Sequence, residues 1–380
     1  MLTFIFTECT WSSFGLVLCL GLGLFWLLKG ARLISGASWL IKNHPDAWEG
    51  TSLDLSSSIA IVTGANSGIG YYIALGLARR GSNVILACRN KIRGEAAARE
   101  INIILSKFSC KGHAEFWLLD LSSMQSVRSF ASRFVQEKGM HLNILVNNAA
   151  ISDRTSSLTA EGLNVTYATN HLGPFLLTNL LLDPLKASAP SRVVTVTSIV
   201  YRWASEPLAI LRRTKDILPK HFSYGISKLM NVLFTMELAR RLHHSGVTSN
   251  CVHPGYVRTG ILRNTPAIIR MAIHTLGFPF TLSAKHGAKA PLFLCLSRSL
   301  TFASGLYFEP DLRSSLPTLT ALDPHLSKEL WRESEKLTGL QNGECLGEAR
   351  SKEEEITELE GKEGSCRERE RVRVKVTSDP

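Results

Sequence analysis

The sequence predicts an α/β fold built on a doubly wound parallel sheet. Short apolar runs alternate with longer amphipathic stretches along the middle of the chain, which is the pattern of strands and covering helices in such a sheet. A glycine-rich turn follows the first apolar run. The length of 380 residues suits one domain of about 250–300 residues with appendages. A hydrophobic content of 45% with 20% charged residues excludes a wholly disordered or fibrous chain.

The first strand and its turn favour a dinucleotide site. The run 59–63 is predicted as a buried strand, and the pattern YYIALGLARRG predicts a helix after the turn. A glycine turn between strand and helix presents backbone N–H groups to a pyrophosphate, as in Rossmann-type domains. The spacing is Gly-x-x-x-Gly-x-Gly, and a structural turn alone explains a glycine triplet about as often. The predicted cofactor contacts here are Gly64, Asn66, Ser67, Gly68, Ile69 and Gly70.

The end of the second strand indicates which cofactor binds. Residues 83–87 are predicted as a strand, and Arg89 follows it. In folds that prefer NAD, an acid at this place binds the ribose 2′-hydroxyl, whereas a guanidinium pairs with the 2′-phosphate of NADP. Arg89 therefore favours NADP(H), with NAD(H) as the alternative. The other interpretation of Arg89 is a surface arginine at a strand end.

The next two strands, 114–119 and 142–146, are predicted to supply further cofactor contacts. Asp120 follows the first of them and can accept a hydrogen bond from adenine. The alternative is that Asp120 is the N-cap of a helix beginning near Ser122. The small residues of the Asn-Asn-Ala-Ala turn after the second strand let the backbone approach the nicotinamide ribose. The predicted contacts at these two strand ends are Asp120, Leu121, Asn147 and Ala149.

The chemistry is indicated by three residues further along the chain. Ser198 ends the predicted strand 192–197, and Tyr224 and Lys228 share one face of a predicted helix because they are four residues apart. An adjacent ammonium is expected to lower the pKa of a tyrosine from about 10, which makes it a usable acid or base. A serine hydroxyl can hold and polarise the substrate oxygen. Alone, the Tyr-x-x-x-Lys spacing is also that of an ordinary surface pair.

These motifs, taken together over residues 58–310, resemble the short-chain dehydrogenase/reductase superfamily. They are TGANSGIG, NNAA, Asn170 in NHLGPF, Ser198 with Tyr224 and Lys228, and HPGYVRT. The segments ACR, NHLGPFLLTNLLL and ELARRL are similar to the membrane-bound retinol dehydrogenase-like branch, which includes microsomal retinal reductases and the family member 13 proteins.

The resemblance also implies roles for individual residues. Tyr224 would be the general acid/base, Lys228 would bind the nicotinamide ribose, and Ser198 would orient the substrate. Asn170, in the middle of a predicted helix over 158–185, would hold a water for a proton relay to Lys228; the alternative is a core asparagine that kinks the helix. The remaining implied contacts, to the nicotinamide carboxamide, are Pro254, Gly255 and Thr259.

The N-terminal segment predicts a membrane anchor. Residues 9–28 carry no charge, and about 20 helical residues span the hydrocarbon core of a bilayer. We therefore assign 1–30 to a transmembrane helix and 31–57 to a juxtamembrane linker. Lys29, Arg32 and Lys42 follow the segment, which predicts a cytosolic catalytic domain. The resemblance implies the endoplasmic reticulum membrane; the alternative is a cleaved signal peptide and a secreted, soluble reductase.

Charge is distributed unevenly along the chain. The net charge is +11, and residues 50–340 carry +14 while 341–380 carry −3. The tail 341–380 is dense in charge and poor in large apolar side chains, so it is predicted to be disordered. The catalytic domain is assigned to 58–340, with a substrate lid at about 260–282. Residues 251–300 hold six basic residues and no acid. This lid is expected to contact membrane lipid and an apolar small-molecule substrate; the alternative is an ordinary amphipathic helix.

Other classes of function are less consistent with the sequence. No CxxC pair and no His/Cys cluster with metal-ligand spacing is present, so no metal is expected. The basic residues lack interleaved aromatic residues or a known module, which argues against nucleic-acid binding. A non-enzymatic dinucleotide-binding scaffold that acts through its tail is the competing hypothesis. The sequence leaves the oligomeric state open and is compatible with a homodimer.

Overall fold

A computed structural model describes residues 54–153, 157–204, 207–212, 223–257 and 281–340. The predicted anchor, most of the linker, most of the lid, Thr259 and the tail lie outside these residues. Among the helices of the described ranges, none has the length and apolarity needed to cross a bilayer.

An eight-stranded sheet forms the centre of the domain, in the order β3-β2-β1-β4-β5-β6-β7-β8. The first seven strands are parallel, as the alternating sequence pattern predicts, and β8 pairs antiparallel with β7. The antiparallel edge strand was not predicted, because its two residues are too short to leave a pattern. The strands are β1 (Ile59–Thr63), β2 (Asn83–Cys88), β3 (His113–Leu118), β4 (Ile144–Asn147), β5 (Ser191–Val196), β6 (Val247–Val252), β7 (Tyr307–Phe308) and β8 (Ser314–Ser315).

Helices cover both faces of this sheet. In the described residues they are α1 (Gly68–Ala78), α2 (Lys91–Lys107), α3 (Met124–Lys138), α4 (Val165–Tyr167), α5 (Gly173–Leu180), α6 (Leu182–Ala187), α7 (Pro207–Arg212), α8 (Ser223–Arg241), α9 (Ala284–Gly287), α10 (Lys289–Leu296), α11 (Leu319–Leu322) and α12 (Pro324–Thr338). A π-turn spans Ala168–Leu172, and 3₁₀ turns span Ile199–Trp203 and Arg298–Leu300.

Successive residues of the central strands face two separate apolar cores. Ile61 and Leu145 pack with α3, α5, α8 and α12, whereas Val62 and Val146 pack with α1, α2 and α10 on the other face. Both faces are buried because helices cover each side, which is why the strands read as continuous apolar runs rather than as alternating ones. The predicted doubly wound α/β architecture is therefore confirmed for this domain.

Residues 158–185 do not form the single helix that the sequence predicts. Leu158 and Asn164 form an antiparallel bridge instead. The helix starts only at Val165, because the Asn164 side chain accepts hydrogen bonds from the N–H groups of the first turn. The π-turn then interrupts the helix and carries Asn170 before α5 begins. The prediction of a buried helical region is correct. The predicted start of the helix and its continuity over 158–185 are wrong.

Asp120 is not the N-cap of the helix that follows β3. Its Oδ1 accepts hydrogen bonds from the backbone N–H and the hydroxyl of Ser122, at 2.9 and 2.6 Å. The cap is Ser123, whose hydroxyl accepts from the N–H of Ser126. Asp120 thus stabilises the turn between β3 and α3, and the alternative interpretation as a helix cap is wrong by three residues.

The helix α12 covers the outer side of α8. Its Trp331 stacks on Phe234 of α8 with ring centroids 5.8 Å apart and meets Phe175 of α5 edge-on at 4.9 Å. Asp323 caps the start of α12, and Gly339 ends it in the left-handed conformation. With the sheet on one side and α12 on the other, α8 is enclosed. The first turns of α8 are tied to the end of β5 by the Thr197 hydroxyl, which donates to the Lys228 carbonyl at 3.1 Å.

Candidate active site

The glycine turn lies at the point where the strand order reverses. β2 and β4 flank β1 and lead away in opposite directions, so a crevice opens at the carboxyl ends of β1 and β4. Gly64 and Gly68 have φ angles of +67° and +61°, which other residues adopt only with strain. A Cβ on Gly70 would lie 2.5 Å from the Asn148 side-chain nitrogen. The turn therefore packs so closely that side chains at these positions are excluded.

The residues around this turn fit a dinucleotide. Ser67 precedes α1, its hydroxyl makes no capping hydrogen bond, and the first turn of α1 has no acid. Free N–H groups at a helix start attract a phosphate. Asn147 is 4% exposed, and its side-chain oxygen has no hydrogen-bond partner among the described residues. Since buried polar atoms are nearly always paired, this oxygen suits a ligand group.

Thr63 joins the ends of β1 and β4. Its Oγ1 donates to the Val146 carbonyl at 3.3 Å and accepts from the N–H groups of Asn148 and Ala149 at 3.0 Å each. The Asn148 side chain donates back to the Thr63 carbonyl at 2.8 Å. These bonds fix the backbone of the Asn-Asn-Ala-Ala turn. Thr63 is the first residue of the TGANSGIG motif, yet no role was predicted for it, although a hydroxyl at the last position of a buried strand was a signal.

The predicted adenosine contacts lie at the ends of neighbouring strands. Arg89 is exposed just after β2, beside Asn90, which caps α2. Leu121 is buried and Asp120 is partly buried after β3. The ends of these strands stay close, since the N–H of Leu119 donates to the Cys88 carbonyl at 3.1 Å. Arg89, Asp120 and Leu121 therefore share the edge of the sheet that also carries the glycine turn.

Ser198, Tyr224 and Lys228 come together beyond the end of β5. Ser198 directly precedes the 3₁₀ turn, and its side chain lies close enough to the Tyr224 hydroxyl to influence its ionisation. Tyr224 and Lys228 lie on the first turns of α8, with the Lys228 Nζ 5.7 Å from the centroid of the Tyr224 ring. The Nζ donates to the Val196 carbonyl at 2.8 Å. Three polar groups thus converge beside the crevice.

Burial controls the pKa values of this group. Burial raises the pKa of Tyr224 to about 12, and the nearby Ser198 side chain opposes this shift. Burial lowers the pKa of Lys228 to about 7, because taking the amine out of water disfavours its charged form. The expectation that the protein itself lowers the Tyr224 pKa through Lys228 is therefore wrong in direction. Burial is the largest cause of the Tyr224 shift, and the lowering effect opposed to it comes from Ser198 rather than from Lys228.

Asn170 is fully buried in the π-turn. Its side-chain oxygen accepts from the Ile151 N–H at 2.8 Å, and its nitrogen donates to the Ile151 carbonyl at 2.9 Å and to the Ser227 hydroxyl at 3.0 Å. Ser227 lies between Tyr224 and Lys228 on α8 and donates to the Tyr224 carbonyl at 2.7 Å. Asn170 therefore ties the loop after β4 to the start of α8, and π-turns are frequent at functional sites.

The turn after β6 adds the last residues of the predicted site. Pro254 is buried, and Gly255 has a φ of +88° with a Cβ position only 2.7 Å from a Leu282 side-chain carbon. Immediately before them, the Nδ1 of His253 accepts a hydrogen bond from the N–H of Ile199 at 3.2 Å. His253 is the first residue of the HPGYVRT motif. A histidine at this place in the sequence does not by itself predict a hydrogen bond with the turn that follows Ser198.

Comparison with known proteins agrees with this architecture. The family model for the short chain dehydrogenases matches residues 58–268. Human retinol dehydrogenase 13 is 39% identical over 325 residues, which are 83% of this chain and 95% of that protein. Human dehydrogenase/reductase SDR family member 13 is 40% identical over 325 residues, which are 84% of this chain and 83% of that protein.

A solved structure is also similar. The crystal structure of a putative uncharacterized protein from Mycobacterium paratuberculosis matches with a TM-score of 0.59 and 32% identity, covering 76% of this chain and 96% of that chain. Sequence similarity and fold thus agree over the domain that carries the crevice. The chain belongs to the short-chain dehydrogenase/reductase family of oxidoreductases and is related to the retinol dehydrogenases.

Proposed function

We propose that this chain is an NADP(H)-dependent oxidoreductase that interconverts a carbonyl and an alcohol on an apolar, retinoid-like substrate. The observation that carries the proposal is the convergence of Ser198, Tyr224 and Lys228 beside the glycine turn at the carboxyl edge of the sheet. An acid, a hydroxyl donor and an amine are the groups that carbonyl reduction requires.

The chemistry follows from the positions of these groups. When bound in the crevice, a nicotinamide dinucleotide would supply a hydride for the carbonyl carbon. The Tyr224 hydroxyl donates its proton to the carbonyl oxygen, so that the carbonyl becomes an alcohol and the tyrosine becomes a phenolate. Ser198, whose side chain lies near the Tyr224 hydroxyl, donates to the same oxygen. The ammonium form of Lys228, which its pKa of about 7 makes about half of the population at neutral pH, would stabilise the phenolate. Asn170 holds the start of α8 in place through Ser227.

Groups along the crevice would hold the cofactor. The pyrophosphate would lie against Gly64, Asn66, Ser67, Gly68, Ile69 and Gly70. Asn147 and Ala149 would face the nicotinamide ribose, and Pro254 and Gly255 the carboxamide. We assign the 2′-phosphate of NADP(H) to Arg89, an exposed guanidinium at the end of β2.

The apolar substrate class rests on two observations. The relatives are retinol dehydrogenases by name, at about 40% identity. Trp203, at the end of the 3₁₀ turn that follows Ser198, leaves 66% of its surface exposed, which offers apolar contact area five residues along the chain from Ser198. An apolar substrate dissolves in lipid, so we also propose that residues 1–30 anchor the chain to the endoplasmic reticulum membrane with the domain in the cytosol.

Turnover of all-trans-retinal tests the proposed function directly. The full-length chain in detergent or vesicles is assayed with all-trans-retinal, a steroid ketone and a medium-chain aldehyde, each with NADPH and with NADH. We expect retinal to be reduced with the highest kcat/KM, and NADPH to be preferred. Absence of turnover of every carbonyl with both nucleotides, in protein that still binds NADPH, would contradict an enzymatic role.

Arg89→Ala tests the cofactor assignment. Loss of the guanidinium is expected to raise the KM for NADPH about 10-fold or more while the KM for NADH stays within about 2-fold, because only NADPH carries the 2′-phosphate. Arg99→Ala, which removes an exposed positive charge further along α2, is the matched control and should change neither value. Equal losses with both nucleotides would assign Arg89 a structural role instead.

A further inference from the structure

We propose that His253 is a positioning residue that holds Ser198 in line with Tyr224. The inference rests on the proposed function, since it gives His253 a role only through the serine that orients the substrate. The strand pattern and the glycine turn do not predict this role for the histidine. It follows from one hydrogen bond, from the Ile199 N–H to the His253 Nδ1 at 3.2 Å.

Ser198 stands at a point where the chain leaves the sheet. β5 ends at Val196, and Thr197 still follows the sheet, since its N–H donates to the Val252 carbonyl at 2.9 Å. The 3₁₀ turn then starts at Ile199. The N–H at the start of a helical turn has no partner within that turn and must find one elsewhere. The imidazole of His253 supplies it, one residue beyond Ser198.

His253 is itself anchored in the sheet. It follows β6, and its own N–H donates to the carbonyl of Phe308 in β7 at 3.0 Å. The side chain is 5% exposed, with the ring of Tyr256 edge-on at 6.2 Å between centroids. A buried ring attached to a strand has little freedom to move. The hydrogen bond from Ile199 to His253 therefore restrains the start of the turn, directly after Ser198, relative to the sheet.

The protonation state of the ring suits an acceptor. Burial, aided by the positive charge of Arg202, lowers the pKa of His253 to about 3. Arg202 is held nearby by an ion pair with Glu309 at 2.9 Å. The ring is thus neutral at physiological pH, and accepting from Ile199 requires the tautomer with its proton on Nε2. In this form Nδ1 keeps its lone pair for the turn.

The test compares three substitutions at one position. Asn places its side-chain oxygen at the same distance from Cβ as Nδ1, whereas Gln places it one bond further and Leu removes it. We expect His253→Asn to keep kcat for retinal reduction within about 3-fold of wild type. His253→Leu and His253→Gln should lose about 10- to 100-fold in kcat with little change in the Kd for NADPH, since the serine is displaced but the cofactor cradle is not. Thermal unfolding of each variant establishes that it is folded.

A double-mutant cycle with Ser198→Ala decides whether His253 acts through the serine. In the Ser198→Ala background, single-turnover rates with enzyme in excess should fall by less than about 2-fold on adding His253→Gln, because no serine remains to be positioned. Multiplicative losses, or equal kcat for the Asn and Gln variants, would overturn the inference. Near-wild-type turnover of Ser198→Ala alone would instead contradict the proposed function, so the two failures are distinguishable.

Discussion

Tyr224→Phe is expected to lose turnover by about 1,000-fold or more while NADPH binding persists. The substitution removes only the hydroxyl that gives its proton to the substrate oxygen, and general acid catalysis contributes about 10²–10⁴-fold. The ring stays in place at the start of α8, and the carbonyl of residue 224 still accepts from Ser227. The measurements are kcat for retinal reduction and the Kd for NADPH from quenching of protein fluorescence.

Tyr167→Phe is the matched control for this result. Tyr167 is 1% exposed, and its hydroxyl has no hydrogen-bond partner among the described residues, so its loss should alter neither kcat nor NADPH binding by more than about 2-fold. A Tyr224→Phe variant that retains near-wild-type turnover would contradict the assignment of the general acid. Loss of NADPH binding along with turnover would show that the hydroxyl has a structural role.

Lys228→Met is expected to reduce turnover by about 100-fold or more and yet stabilise the nucleotide-free protein. Lys228 is 1% exposed and bonds only to the Val196 carbonyl among the described residues. Replacing a buried charge by an apolar side chain of similar length removes its desolvation penalty, and we expect the free energy of unfolding at pH 7 to rise by about 1–3 kcal/mol. Such a gain would show that function at this position is retained at the expense of stability.

The stability difference should depend on pH in a defined direction. The pKa of Lys228 is about 7 in the folded chain and about 10.5 when unfolded, so the unfolded chain binds more protons between these values. Lys228 therefore does not lower the free energy of unfolding above pH 10.5. Its destabilising effect grows as the pH falls from 10.5 to 7. The gain in the free energy of unfolding caused by Lys228→Met should thus be larger at pH 7 than at pH 9.5.

Denaturant unfolding at both pH values checks this dependence. Lys186→Met on α6 replaces an exposed lysine and should change the free energy of unfolding by no more than about 0.5 kcal/mol at either pH. An advantage of Lys228→Met that is equal at pH 7 and pH 9.5 would mean that the lysine is charged in the folded protein. Destabilisation at both pH values would mean that the hydrogen bond from Lys228 to the Val196 carbonyl stabilises the folded chain more than burial of the amine destabilises it.

Strand ends were the most predictable part of the site. β1 is predicted over the same residues that form it, and the predicted bounds of β2 to β5 differ from the observed ones by no more than two residues. A buried parallel strand needs a short apolar run whatever its neighbours are, so its position is readable locally. Since parallel strands end at one edge, Arg89, Asp120, Asn147 and Ser198 had to share that edge.

Contacts between distant segments were not predictable. The π-turn around Asn170, the α12 helix over α8 and the bond from Ile199 to His253 leave no periodic pattern in the chain. Each depends on which side chains meet after folding, 54 residues apart in the case of His253 and Ile199. The single helix expected over 158–185 failed for the same reason, because the Asn164 cap competes locally with an otherwise helical apolar pattern.

The sequence by itself determined the fold class, the carboxyl edge of the sheet as the site and the residue types that do the chemistry. Those follow from local patterns and from the geometry of parallel strands. Only the tertiary structure decided how the side chains of Tyr224 and Lys228 ionise. It raises the pKa of Tyr224 to about 12 and lowers that of Lys228 to about 7. Ionisation depends on how much water and charge surround a group, and α8 loses its water only when the sheet and α12 enclose it.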